Sequence, residues 1–205
     1  SKITSFPVEV ITTSRQTLYK VLLESYLSLS GEILFDHELS EIDLDTPTIH
    51  FSNKLSFKVM HIAACDGIKS FCRKQCIPLS GEALYSGYSV WRAIEEKKQE
   101  NIETHLGANF HIVTYPINEN RTSFVAAIKT TQAHEESWKA KGSYEEMSSE
   151  LPSQVEDIIS SLKLNNDLFK WGVFTRPKAK NLYANNITFL GDAAHPIVPF
   201  IGQGG

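Results

Sequence analysis

Long apolar runs are missing from this 205-residue chain. None approaches the ~20 residues that a membrane-spanning helix needs. The first residues show no basic start followed by an apolar stretch, so no secretory leader is read there. Cysteine is scarce: Cys65, Cys72 and Cys76 are an odd number and lie close together. Without a leader they read as free thiols of a reducing compartment, and a cytoplasmic location is expected. A zinc site wants a fourth ligand at suitable spacing; none stands nearby, so no metal is expected. A surplus of positive charge is lacking too. Twenty Lys and Arg against 24 Asp and Glu leave a net charge of −4, which argues against nucleic acid or an anionic membrane as partner. Internal repeats and low-complexity segments are absent.

What is present is an ordinary globular composition, 41% hydrophobic and 21% charged. The length suits one large or two small domains. Val8–Thr12 reads as a short β-like run. Leu18, Val21, Leu22, Tyr26 and Leu29 recur at helical spacing, which predicts an amphipathic helix over Arg15–Leu29. Ser14 is placed to cap it and Gly31 to stop it. Strand patterns follow within Glu32–Asp45, then at Thr48–Ser52 and Leu55–Val59 around an Asn53-Lys54 turn. His61–Cys65 is a short apolar run, read as a buried strand, with a short helix after it over Ile68–Gln75. Tyr85–Glu95, Asn109–Ile117 and Thr122–Thr131 are β-rich, and residues 118–121 form a hairpin turn. Ser143–Leu164 fits one or two helices. Lys170–Thr175 and Asn186–Leu190 are strands, and Gly202–Gly205 is expected to open a helix.

Two stretches carry the chemistry. In Ala64-Cys65-Asp66-Gly67-Ile68 a strand ends, an acid and a glycine turn the chain, and a helix starts. A helix start offers free N–H groups, and glycine lets a phosphate approach the backbone. An ordinary strand-to-helix turn has the same composition. The second stretch is Leu190–Gly205, LGDAAHPIVPFIGQGG. Gly191-Asp192 ends a buried strand, where a carboxylate can accept hydrogen bonds from sugar hydroxyls. Pro196 and Pro199 stiffen the loop, and Gly202, Gly204 and Gly205 let backbone amides approach something flat or anionic. His195 is read as ordering the loop through its ring, with ligand or base as the alternative. A metallophosphatase reading of Asp192 and His195 needs further ligands on other strand ends, and the remaining histidines lack acidic partners in such contexts.

The run from Thr188 to Gly205 resembles the flavin-contacting motif of group A FAD-dependent monooxygenases, the family of salicylate and para-hydroxybenzoate hydroxylases. All elements of the pattern Gly-Asp-Ala-Ala-His-Pro, Pro, Gly-Gln-Gly are present. Arg15-Gln16-Thr17-Leu18 resembles the family's Arg-x-x-Leu. Cys65–Ser70 with Arg73 resembles its Asp-Gly motif, although Ala64-Cys65 stands where Gly-Ala is usual, and a β-carbon at 64 is expected to crowd that turn. Gly87–Ile94, Tyr115–Ile117 and Lys170–Pro177 resemble later segments in family order.

The resemblance implies an α/β (α+β) fold: an incomplete Rossmann-like FAD-binding domain with an antiparallel β-sheet substrate domain. Residues 1–80 and 176–205 would belong to the FAD-binding domain and 81–175 to the substrate domain. The Gly-x-Gly-x-x-Gly loop of the family has no counterpart before Arg15, so the chain is expected to be an internal segment, inactive alone, of an enzyme. That enzyme would use FAD, NAD(P)H and O2 to hydroxylate a small aromatic substrate. Implied cofactor-binding residues are Arg15, Asp66, Gly67, Gly191, Asp192, Pro199, Gly202, Gln203, Gly204 and Gly205. No catalytic residue is assigned. Tyr85, Tyr88, Trp91, His111 and Tyr115 alternate on the substrate strands, and packing is the preferred reading for each. A flavin epoxidase or reductase of the same fold, or an inactive remnant, fits the same residues.

Overall fold

The computed structural model describes residues 10–77, 81–131, 140–160 and 168–201. Helix α1 (Arg15–Ser28) begins where the Ser14 hydroxyl accepts the Thr17 N–H at 3.1 Å. Strands β1 (Leu39–Asp43), β2 (Thr48–Phe51) and β3 (Ser56–Lys58) form a small antiparallel sheet in that order. Then come β4 (Ile62–Ala64), α2 (Phe71–Cys76), β5 (Leu84–Glu95), β6 (Glu103–Leu106), β7 (Phe110–Asn118) and β8 (Arg121–Lys129). Helices α3 (Tyr144–Glu150) and α4 (Glu156–Ser160) precede β9 (Phe169–Thr175), β10 (Tyr183–Ala184) and β11 (Ile187–Phe189). The larger sheet has the order β6-β7-β8-β5-β9, and a third sheet has the order β10-β11-β4. The fold is a mixed α/β one with antiparallel sheets, as the sequence resemblance implied.

Contacts divide the chain into two compact units. One holds residues 1–32, 91–128 and 141–169. Its core gathers Trp91 and Ala93, Ile112, Phe124, Ala126 and Ile128 against Met147, Leu151, Val155 and Ile159. Period-two alternation sends these strand residues to one face, where Met147 of α3, Leu151 just past its end, Val155 in a 3-10 turn and Ile159 of α4 meet them. Trp91 is fully buried, and its Nε1–H donates to Glu150 Oε2 at 2.9 Å. The packing reading of Trp91 therefore holds. The other unit holds residues 33–90, 129–140 and 170–205. Its core joins Ala64 and Cys72 to Ile187, Phe189, Ala193 and Ala194.

Several expectations are corrected. Residues 10–12 form no strand, and Val8 and Glu9 lie outside the described residues. α1 has the expected apolar stripe, yet no residue of it is buried, and Leu18, Val21, Leu22, Tyr26 and Leu29 are all exposed. Helical periodicity records which side chains share a face; it does not supply the surface that covers them. Gly31 acts differently from a left-handed stop: Ser30 takes the positive φ of 62°. A β-carbon at 31 would lie 2.3 Å from the exposed Tyr26 ring, which would have to swing aside to admit it. β6 and β10 are strands that no alternation signalled. Residues 161–164 of the expected helical stretch lie outside the described residues.

Candidate cofactor site

β11 pairs with β4 in parallel, Ile187 opposite Ile62 and Phe189 opposite Ala64. Both strands end together, and the Leu190 N–H donates to the Ala64 carbonyl at 3.0 Å. The loop beginning at Cys65 and the loop beginning at Leu190 therefore leave from neighbouring carboxyl ends of parallel strands. That is the position where open α/β sheets hold ligands. Gly67 (φ 75°) and Gly191 (φ 55°) make the two turns, and a β-carbon on either would meet nothing within 4 Å. Each turn thus presents bare backbone to open space, the condition for close approach of a cofactor.

Asp66 faces inward along the chain. Its Oδ2 accepts the Cys72 N–H at 2.9 Å, capping α2. Burial opposes its charge, but the Ser70 hydroxyl and the Cys72 N–H outweigh this and hold its carboxyl below the usual range. Stability from this group is present above the unfolded-state pKa and is lost as pH falls through the lowered folded value. Asp66 therefore shapes the turn. The Ala64 methyl group sits in the core with Phe189, so the extra carbon relative to glycine is absorbed there.

Burial and the neighbouring Asp66 push the Cys72 thiol up to about 12. Cys65 is exposed. Alkylation with iodoacetamide at pH 8 is expected to label Cys65 first and leave Cys72 unmodified in the folded protein. Peptide mass mapping checks this, and early Cys72 labelling would overturn it.

Gly191–Ala193 form a single 3-10 turn, closed by Ala194 and His195 N–H groups that both donate to the Gly191 carbonyl at 3.0 Å. The His195 backbone orders this loop, and its exposed ring accepts or donates no hydrogen bond among the described residues, a correction to the sequence reading. The Asp192 carboxylate is exposed and has no hydrogen-bond partner among the described residues. Pro199 opens a second 3-10 turn, in which the Phe200 ring packs edge-on against Tyr88 at 4.8 Å between centroids. Gly202, Gln203, Gly204 and Gly205 lie outside the described residues. Arg15 stands exposed on α1, in the other unit. Asp66, Gly67, Gly191 and Asp192 are thus brought together within one unit.

The residue that ties the cluster together is Arg73, which the Asp-Gly resemblance included but to which it gave no role. Arg73 is 1% exposed. Its Nη1 donates to the carbonyls of Ala193 at 3.1 Å and Ala194 at 2.9 Å, and its Nη2 to that of Pro177 at 2.9 Å. Arg176 braces the other side, donating to the carbonyls of Ile68 and Gly81. The Arg73 fork thus joins α2 to the second loop, and Arg176 holds the first.

Glycine turns at adjacent parallel strand ends, beside an exposed carboxylate, define a nucleotide-cofactor domain of the α/β class. The chain belongs to the FAD binding domain family, which matches residues 4–205. A 3-amino-4-hydroxybenzoate 2-monooxygenase of Streptomyces platensis is 26% identical over 168 residues, covering 78% of this chain and 42% of the relative. A 3-hydroxybenzoate 6-hydroxylase of Polaromonas naphthalenivorans is 26% identical over 171 residues, 80% of this chain and 42% of the relative. Klebsiella pneumoniae HpxO, solved with FAD and uric acid, superposes with a TM-score of 0.75 at 21% identity, covering 93% of this chain and 50% of that one. A salicylate hydroxylase substrate complex gives 0.73 at 19% identity, with 92% and 52% covered. The chain spans about half the length of the proteins it matches. The residues present fit FAD: two open glycine turns, an exposed carboxylate and bare backbone meet at one sheet end.

Proposed function

We propose that the chain is part of a monooxygenase that uses FAD, NAD(P)H and O2 to hydroxylate a small aromatic substrate. The carrying observation is the pair of glycine turns at the ends of β4 and β11, joined through Arg73, in a member of the FAD binding domain family. The hydroxybenzoate relatives support the substrate class. Bound FAD supplies the electron transfer and oxygen activation, and the protein supplies binding, orientation and exclusion of water. Asp192 accepts hydrogen bonds from ribityl or ribose hydroxyls. Gly67 and Gly191 admit the cofactor backbone, and Asp66 holds its turn. Pro199 would help to line the flavin site, and the motif resemblance assigns Gly202, Gln203, Gly204 and Gly205 to it as well. Arg15 offers its planar fork to the phosphate or ribose region. Residues 1–80 and 176–205 serve the cofactor, and 81–175 carry the substrate. The three free cysteines support a cytoplasmic setting. Among the described residues, no helix is long and apolar enough to cross a membrane.

The first test is the visible spectrum of the protein purified from its complete reading frame. A flavin band released as FAD on denaturation is expected, followed by aromatic-acid-dependent uptake of O2 with a hydroxylated product. No flavin, even after FAD is added, would sink the reading; NAD(P)H oxidation without a hydroxylated product would shift it to a reductase. Asp192→Ala is expected to weaken FAD binding about tenfold to a hundredfold, the scale of lost charge-assisted hydrogen bonds. Its thermal midpoint without FAD is expected to stay unchanged, because the carboxylate has no hydrogen-bond partner among the described residues. Fluorescence titration with FAD reads the unmodified protein and the variant, and equal affinity would remove Asp192 from the site.

A further inference from the structure

A cavity of about 240 Å³ lies in the unit built from residues 91–128 and 141–169. It is smaller than most ligand pockets, so its occupant is fragment-sized. On β5 the buried positions Trp91, Ala93 and Glu95 alternate along one face. Trp91 and Ala93 join the apolar core, but Glu95 lines the cavity while only 4% exposed. No hydrogen bond among the described residues engages its carboxylate. Burial raises the Glu95 carboxyl above its ordinary range, and the charge of Lys97 opposes this only in part.

Gln99 lines the same cavity with an amide whose orientation the chain fixes. Its Nε2 donates to the carbonyls of Asn101 at 2.6 Å and Thr114 at 3.2 Å, and to Thr114 Oγ1 at 3.0 Å. Two of those partners are carbonyl oxygens, so the flipped amide would set oxygen against oxygen. The orientation is thereby fixed, and Oε1 is buried with no partner. The Thr122 hydroxyl cannot supply the missing donor, because it donates to the Lys97 carbonyl at 2.7 Å. Glu103 and Asp157 add carboxylates to the lining, beside Lys97 and His105. The cavity therefore has acceptors and negative charge in excess and donors in deficit. No group of three His, Cys, Asp or Glu among the described residues has metal-binding geometry.

We infer that this cavity binds a small organic cation bearing N–H donors, a guanidinium or a primary ammonium, held by Glu95 with the carboxylates of Glu103 and Asp157 in the same lining. Such a ligand gives the Glu95 carboxylate the donor that no described residue supplies. The assignment is independent of the flavin reading, since it rests on a different set of residues.

Isothermal titration of the purified full protein tests it, using methylguanidinium chloride and propylammonium chloride. Tetramethylammonium chloride carries the charge without donors. Saturable heats from the first two and none from the third are expected. Glu95→Gln should weaken binding about tenfold or more, the loss for a charged hydrogen-bond partner made neutral. Asp157→Asn, at an exposed position on α4, should weaken it less and secures the test if the Glu95 variant does not fold. The inference is overturned by no saturation with either donor cation, by equal binding of tetramethylammonium, or by undiminished binding in every folded variant.

Discussion

Arg73→Ala is expected to lower the free energy of unfolding by about 3–5 kcal/mol, the scale seen when one partner of a buried charged network is removed. The guanidinium is 1% exposed, and it donates to carbonyls of Ala193, Ala194 and Pro177. These acceptors are 104 to 121 residues away in sequence. Deleting the side chain leaves three carbonyls short of a donor and opens a hole beneath both glycine turns. Desolvation already lowers the guanidinium's affinity for its proton, with the charge of Arg176 adding to it. The hydrogen bonds must therefore outweigh a real burial penalty. Arg73→Lys should recover only part of the loss, because an ammonium cannot reach three carbonyls through a planar fork. Urea denaturation with an unchanged slope gives the measurement. A loss under about 1 kcal/mol would show that the two loops stand without the clamp. On the proposed function, FAD retention should fall along with stability, because the turns that admit the cofactor are the ones released.

How legible was this in the sequence? Strands bounded by punctuation were readable. His61–Cys65 and Asn186–Leu190 contain β4 and β11, because short apolar runs ending in Asp-Gly and Gly-Asp have few other uses. The β7–β8 hairpin was equally plain, with Asn118 paired to Arg121 across its turn. That β4 and β11 lie side by side in parallel was not readable, since pairing across more than a hundred residues leaves no local pattern. Strand β6 was missed for a different reason. Glu103–Leu106 is an edge strand with little buried surface, so its side chains carry no alternation. The candidate site divides likewise. Glycines and acids in motifs announce themselves by type. Arg73 entered only through the Asp-Gly resemblance; on a six-residue helix between Cys72 and Lys74, its burial and its three carbonyl partners left no local mark. Glu95 and Gln99 share this difficulty: a buried glutamate facing a cavity and an amide oxygen without a partner exist only once the chain is folded.

Gly142→Ala is expected to destabilise the other core by about 3 kcal/mol, near the upper end for overpacking by one carbon. A β-carbon at 142 would lie 2.1 Å from Cζ3 and 2.6 Å from Cη2 of Trp91. Neither side can yield easily. The backbone at 142 is held by its N–H to the Leu168 carbonyl at 2.9 Å, beside the bridge between Lys141 and Phe169. The indole is fully buried among Met147, Leu151 and Val155, and its N–H is anchored on Glu150. An interior at crystal-like density has no space into which the ring can turn. The clash also predicts its own rescue. Trp91→Phe alone removes the atoms nearest position 142 and the bond to Glu150, and should cost about 2 kcal/mol. In the double variant the new methyl group occupies space that the smaller ring vacates. The two losses should then fall short of their sum by about 1–2 kcal/mol, the coupling expected of residues in direct contact. A double-mutant cycle from chemical denaturation measures this. Strict additivity would mean that the 142 backbone moves aside and that glycine is not what lets the chain pass over the indole.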